Sequence, residues 1–380
     1  MGDRNLPDVI VAGHVCLDII PTFTQSAGSL EEVLVPGKLI DMGAAVVSTG
    51  GTVSNAGLAL HRLGIATGLM GKVGDDIFGR AILELFERQD AALTANMIVA
   101  AGEQTSYTVV LSPPGVDRMF LHCTGANDTY CAADLDVAKL AGARLLHFGY
   151  PPLMARMYSD GGAELAALLA AAREQGLTVS LDLARPDPAS PAGRADWRTI
   201  LAMALPHVDI FAPSIDEIVF MLDRERFDEL DAAGDLVAHV DGPLLADVAG
   251  QLLAMGAAVV ALKLGDRGLY LRTTDDAARL AATGACALDK LDGWLGRELY
   301  GPCFRANVVG TTGSGDCTVA GLLAGVLKGF GAEQTLTAGL AVGACSVEAA
   351  DATTGVIPWT DIEKRLANGW DRLDVTISLD

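Results

Sequence analysis

Gly310-Thr311-Thr312-Gly313-Ser314-Gly315-Asp316 leads straight into Cys317–Leu327, an almost uncharged run with the length of a buried helix. The small residues let consecutive backbone N–H groups converge, and a helix start adds the positive end of its dipole. Such a nest stabilises a phosphoryl group whose charge shifts during transfer. Asp316, beside it, is a carboxylate placed to take a proton from an attacking hydroxyl. A Gly-rich turn with a carboxylate at a helix start is the plainer reading of an isolated G-x-G-D. The length of this run and its context favour the phosphate site. There is no G-x-x-x-x-G-K-[ST], so the site is not a P-loop.

Outward from that run, short apolar stretches alternate with longer helical patterns. Asp8–Gly13 reads as a buried strand, Thr52–Leu63 as a helix ending on Gly64, Ala66–Gly71 as a strand, and Asp75–Arg88 as an amphipathic helix. From Leu145 the rhythm becomes strand then helix, with strands at Leu145–Phe148, Thr178–Asp182, Ile210–Ala212 and Ala257–Lys263. Helices fall at Ala163–Gln175, near Ala195–Ala204, at Ser214–Leu222 and at Leu244–Met255, and a second nearly uncharged one near Glu333–Ala350. A doubly wound, mostly parallel sheet flanked by helices accounts for the alternation. Stretches near 30–50 and around Pro113-Pro114-Gly115, between Thr105–Leu111 and Arg118–His122, read as hairpins of a small β flap. Asp223–Gly242 is rich in charge and reads as an exposed insertion.

Composition narrows the partners. With 27 Lys and Arg against 48 Asp and Glu the net charge is −21, which argues against duplex nucleic acid and anionic membrane. Any anionic ligand needs a local positive pocket. Hydrophobic residues make 51% of the chain and aromatics 5%, so Ala, Leu and Val must fill a sizeable core. Seven scattered cysteines with no C-x-x-C pair fit reduced thiols, and six dispersed histidines form no metal motif. No signal peptide and no membrane-length apolar run is read, so a cytoplasmic protein is expected.

The run GTTGSGDCTVAGLLAG (Gly310–Gly325) resembles the C-terminal signature of the ribokinase-type (PfkB) carbohydrate kinases, roughly D-T-x-G-A-G-D before an apolar helix. Gly310 replaces the opening acid. Other motifs follow in the family's order, from Val11 to about Pro358. Gly50-Gly51-Thr52-Val53-Ser54-Asn55-Ala56 is similar to its sugar-binding signature, and Gly71–Gly79 to its glycine-spaced turn. Gly125-Ala126-Asn127 resembles the return from flap to core. Asp182–Arg185 is similar to D-x-N-x-R with Ala184 for Asn, Ser214–Glu217 to N-x-x-E with Ser for Asn, and Lys263–Gly268 to the turn beside the nucleotide phosphates.

The resemblance implies a ribokinase-like α/β fold: one catalytic domain over residues 1–380, with lid segments at about 14–50 and 103–128. It implies an ATP-dependent kinase that phosphorylates a hydroxyl of a small sugar. Asp316 is then the base, and the amides of Gly313, Ser314, Gly315 and Asp316 form the anion hole. Asp18, Gly50, Gly51 and Asn55 hold the sugar. Lys263, Gly265, Gly268, Thr311 and Ser214 contact the nucleotide, with Lys263 or Arg267 offsetting its charge. Glu217 acts on Mg²⁺ through water, and the same four residues, S-x-x-E, make a capping box. Gly310 removes a charged ligand from the family's monovalent-cation site, so K⁺ dependence is doubtful. A homodimer through the lid is expected. A nucleoside kinase of the same fold and a catalytically silent sugar sensor are the alternatives.

Overall fold

The computed structural model describes residues 6–24, 35–113 and 119–379. The patch beginning at Val33, the turn at Pro114-Gly115 and the strand start at Arg118 lie outside the described residues. Val9–Gly13 (β1) alternates its side chains between two cores: Val9 and Val11 enter one apolar cluster, Ile10 and Ala12 the other. A strand buried on both faces demands helices on both sides, and the chain supplies them. Thr52–Arg62, Ser314–Leu327 and Ala332–Ser346 cover one face, while Ala163–Glu174, Trp197–Ala204, Ile215–Leu222 and Gly242–Ala254 cover the other.

The remaining strands fall into three sheets. Cys16–Ile20 (β2), Val46–Gly50 (β3), Tyr107–Leu111 (β7) and Met119–Cys123 (β8) form a four-stranded sheet in the order β3-β2-β7-β8. Lys72–Gly74 (β5) and Ile98–Ala100 (β6) form a small pair. The main sheet adds Thr67–Met70 (β4), Leu145–Gly149 (β9), Thr178–Asp182 (β10), Ile210–Phe211 (β11), Val259–Lys263 (β12), Leu269–Thr273 (β13) and Glu298–Gly301 (β14). Its order is β14-β13-β12-β11-β10-β9-β1-β4. Six neighbouring strands are parallel, and β13 and β14 are antiparallel at one edge.

Two expectations change. The flap strand β3 pairs with β2, so the described flap ladder joins residues 16–20 to 46–50. Asp223–Gly242 is largely exposed, as its charge implies, and within it Arg224–Ala232 is a helix whose Phe227 meets Phe220 edge-on at 5.2 Å, with the Arg224 guanidinium 3.5 Å above the Phe220 ring. That ring-and-cation packing has no apolar period to betray it. The second change matters for the site. The helix after the Gly-rich run starts at Ser314, three residues before Cys317, so Asp316 lies inside its first turn.

Candidate active site

The parallel strands all deliver their carboxyl ends to one edge of the sheet, where open α/β folds place ligands. His14 follows β1, Tyr150 follows β9, Asp182 ends β10 and Lys263 ends β12. The Ser314–Leu327 helix points its start at the same edge. Gly313, at φ 71°, makes the left-handed step into it, and any side chain there would strike Ala352. Ser314 N–H donates to Thr311 O at 3.3 Å, whereas the first-turn amides of Gly315 and Asp316 are among those a helix start leaves for a ligand.

Two cavities meet at this helix start. The larger, of about 870 Å³, lies between the sheet edge and the small lid sheet, and its lining includes Asp18, Gly51, Asn55, Tyr150 and Asp316. The smaller, of about 340 Å³, is lined by Ser214, Lys263, Gly265, Gly268, Ser314 and Gly315 at its polar end and by Phe304, Val308, Leu340 and Leu373 at its apolar end. Thr311 lines both. Of the residues expected to hold the sugar, Asp18, Gly51 and Asn55 line the larger cavity and Gly50 does not, while Lys263, Gly265, Gly268, Thr311 and Ser214, expected to contact the nucleotide, line the smaller one.

Asp316 is 2% exposed. Asn55 Nδ2 donates to its Oδ2 at 2.9 Å, and the Tyr150 hydroxyl donates to the same oxygen at 2.7 Å. Its Oδ1, Asn55 Oδ1 and His14 Nδ1 are buried without a partner in the described protein. Three orphaned polar atoms lining one cavity mark where a hydrogen-bonding ligand belongs. Burial pushes Asp316 above the ordinary carboxylate range, while the bonds from Tyr150 and Asn55 and the charge of Lys263 pull it back.

Behind the helix start, Lys263 Nζ donates to both oxygens of the fully buried Asp182, at 2.6 and 2.8 Å. A side chain at Gly315 would come within 3.7 Å of that ammonium, so Lys263 stands beside the helix start. Glu217 Oε2 accepts from Ser214 N–H at 2.7 Å, completing the capping box. Burial raises Glu217 to about 8 against the opposing pull of Lys263.

Several expected roles move. Arg267 is turned away, donating to the carbonyls of Val237, Ala238 and Val240. Gly268 is needed by the protein: a side chain there would collide with the Gly301 carbonyl, whereas Gly265 opens onto free space. A side chain at Gly50 would meet the Asp18 carboxylate and one at Gly51 would meet His14, so both positions make room for neighbouring protein groups. Arg185 sits on the rim of the larger cavity, 3.6 Å from Asp216. Asn127 from the lid return donates to Val15 O and accepts from Val15 N–H, locking lid to core.

The sequence reading missed the lid wall and Tyr150. His14 and His122 share a hydrogen bond (3.3 Å), and His122 continues to Thr108 (3.0 Å). Burial keeps both imidazoles uncharged near neutrality. The signal available for His14 and Tyr150 was position: each follows a glycine that ends a parallel strand, in Gly13-His14 and Gly149-Tyr150.

Residues 7–360 match the pfkB family carbohydrate kinase. An uncharacterized sugar kinase of Archaeoglobus fulgidus is 27% identical over 302 residues, covering 79% of this chain and 98% of that protein. Fructokinase-1 of Zea mays is 24% identical, covering 84% and 83%. Among solved structures, Arabidopsis thaliana ribokinase complexed with ribose and ATP superposes with a TM-score of 0.70 at 18% identity, over 95% of this chain and 98% of the other. Xylella fastidiosa fructokinase with bound ATP gives 0.68 at 18%, over 96% and 99%. At such identities the structural likeness establishes the fold, which is that of the ribokinases.

Proposed function

The chain belongs to the pfkB family of carbohydrate kinases, and from that premise we propose that it transfers the γ-phosphoryl group of ATP to a hydroxyl of a small, uncharged sugar or polyol. The observation that carries this reading is the junction at Asp316: the residue lines the larger cavity with its buried Oδ1 unpartnered, while the helix turn it belongs to lines the smaller one. The acceptor hydroxyl gives its proton to Asp316 as its oxygen attacks phosphorus. Lys263 and the amides of Gly315 and Asp316 face the transferring group, and the lid sheet shields it from water.

Among the described residues no three metal-ligating side chains cluster. A hard divalent cation keeps waters and binds phosphates, and Glu217, whose buried carboxyl feels Lys263 and Asp182, would act on Mg²⁺ through water; Mg²⁺, when bound, would supply neutralisation of the phosphate charge.

The charge of the larger cavity supports an uncharged acceptor. Asp18, Asp128, Asp187 and Asp316 line it, His14 and His122 are neutral, and Arg185 is already paired with Asp216. A carboxylate entering this field is repelled. The volume also admits a nucleoside, so nucleosides belong in the test. ADP release is measured with ATP and Mg²⁺ against neutral sugars, sugar acids and nucleosides, for the natural protein and Asp316→Asn. A neutral sugar is expected to be turned over best. No release above the Asp316→Asn background with any acceptor would overturn the kinase reading; a sugar acid as the best acceptor would overturn its uncharged class.

A homodimer through the lid goes with this reading. Val46 and Val47 on β3 and Phe120 and Leu121 on β8 are exposed apolar residues on the two edge strands of the lid sheet. A cytoplasmic setting is supported by seven free thiols. Among the described residues no helix is long and apolar enough to cross a membrane.

A further inference from the structure

Tyr150 stands where the chain leaves β9, with φ at 67°, in the left-handed region that aromatic residues rarely occupy. Pro151 follows it and disfavours the right-handed helical alternative. Its own N–H donates to Asp182 O at 3.2 Å, which fixes the backbone against β10. In that posture its hydroxyl reaches Asp316 Oδ2, the oxygen that Asn55 also holds, and leaves Oδ1 buried without a partner on a residue that lines the larger cavity.

We propose that Tyr150 is a positioning residue for Asp316: its hydroxyl pins one carboxylate oxygen and so presents the other oxygen toward the acceptor. The assignment rests on the kinase reading of the site. Burial favours the neutral carboxyl, and the hydrogen bond from Tyr150 heads the influences that oppose it. The other charged groups facing the pair are Lys263 from β12, Asp182 from β10 and Glu217 from the Ile215–Leu222 helix. His14, its ring 6.0 Å from that of Tyr150, carries no charge near neutrality. Burial, then the charges of Asp316 and Asp182, hold the phenol proton on far above its ordinary range. Tyr150 therefore stays a donor throughout the range in which Asp316 titrates.

Tyr150→Phe keeps the ring that packs near His14 and removes the donor alone. A hydrogen bond to a charged carboxylate shifts its titration by about one to two pH units. Two readouts are taken on the full chain. The first is the ¹³C carboxyl titration of Asp316, identified by its absence in Asp316→Asn. The second is kcat/KM against pH with the best acceptor from the panel. The midpoint of Asp316 and the acid limb of the profile should both move up by that amount, with activity recovering at high pH. An unmoved midpoint, or a loss equal at every pH, would overturn the role. If no acceptor is turned over by the natural protein, the kinase reading fails and the carboxyl titration still decides the coupling.

Discussion

Replacing Lys263 with Met strips the buried Asp182 of its counter-charge while leaving the carboxyl in place. Asp182 is fully buried and Lys263 nearly so, and two bonds at 2.6 and 2.8 Å join them. Breaking such a pair from one side costs about 3–5 kcal/mol, because an uncompensated charge is left behind. The Leu183 N–H still donates to Asp182 Oδ1 at 2.8 Å, which moderates the loss without cancelling it. Acid offers an escape, since the carboxyl can take a proton. Burial already raises folded Asp182 from 3.8 to about 6, with Lys263 opposing, and its removal raises it further. A carboxyl whose folded pKa is raised has its stability in full below the unfolded value and loses it as pH climbs through the folded one. The natural protein and the variant share the unfolded value, so the variant's deficit should stay at about 1 kcal/mol at about pH 5 and open only above the natural folded value of about 6, reaching about 3–5 kcal/mol by about pH 8. Urea denaturation at the two pH values measures this, with Asp182→Leu/Lys263→Met as the partner that recovers most of the loss. A deficit under about 1 kcal/mol at the higher pH, or an equal deficit at both, would refute the account.

Asp316→Asn should leave nucleotide binding nearly intact and lower turnover by about 10²–10⁴-fold, checked by calorimetry and saturating-substrate kinetics; a drop under about tenfold removes it as the base. Asp18→Ala should weaken acceptor binding by about 1–3 kcal/mol with ATP affinity unmoved, by calorimetric titration of each ligand. Asn55→Ala should differ from it by lowering kcat as well, because its amide holds Asp316; an effect confined to KM would show that the amide serves the acceptor alone. At Gly310 a side chain would begin 3.0 Å from the carbonyl oxygens of Ala349 and Ala350, the kind of hard ligands a monovalent cation uses. With no carboxylate there, turnover is expected to be largely independent of K⁺ at constant ionic strength, and Gly310→Asp to gain K⁺ stimulation; strong activation of the natural protein refutes this.

What was legible in the sequence was what period and punctuation encode. β1, β9, β10 and β12 are short, doubly buried apolar runs, and the helices between them carry caps or closing glycines, so the parallel sheet could be read residue by residue. β13 and β14 were not, because β13 follows β12 through a short turn without a crossover helix and Glu298–Gly301 carries only four residues of signal. Among the candidate residues, Asp316 was proposed from the local run and Asn55, Asp18 and Glu217 from motifs of the resemblance. Their hydrogen-bond and charge partners were not legible. Tyr150 is 166 residues from Asp316 and Asp182 is 81 from Lys263, and only the order of strands in the sheet brings them together. Packing at glycines was hidden for a related reason: in space a side chain at Gly50, Gly51 or Gly268 would meet a neighbouring protein group.

The two cavities draw on different parts of the chain, and that division bears on specificity. Lid strands β2, β7 and β8 give the acceptor side Cys16, Asp18, Thr108, Phe120 and His122, none of which touches the nucleotide side. The nucleotide side is built from residue 214 onward and closed by Leu373, which lies beyond the matched segment 7–360. Leu373 is held there because its N–H donates to Cys303 O at 2.8 Å, while Phe304 stacks on Trp370 at 4.6 Å. Substitutions in well-separated, unshared walls add independently. On the proposed reading, changes in the lid can therefore alter which hydroxyl-bearing molecule is admitted while the start of the Ser314–Leu327 helix stays fixed. Thr311, the start of the Ser314–Leu327 helix and the Asp316 carboxylate are the parts through which both sides must act, so substitutions there should move acceptor and nucleotide parameters together.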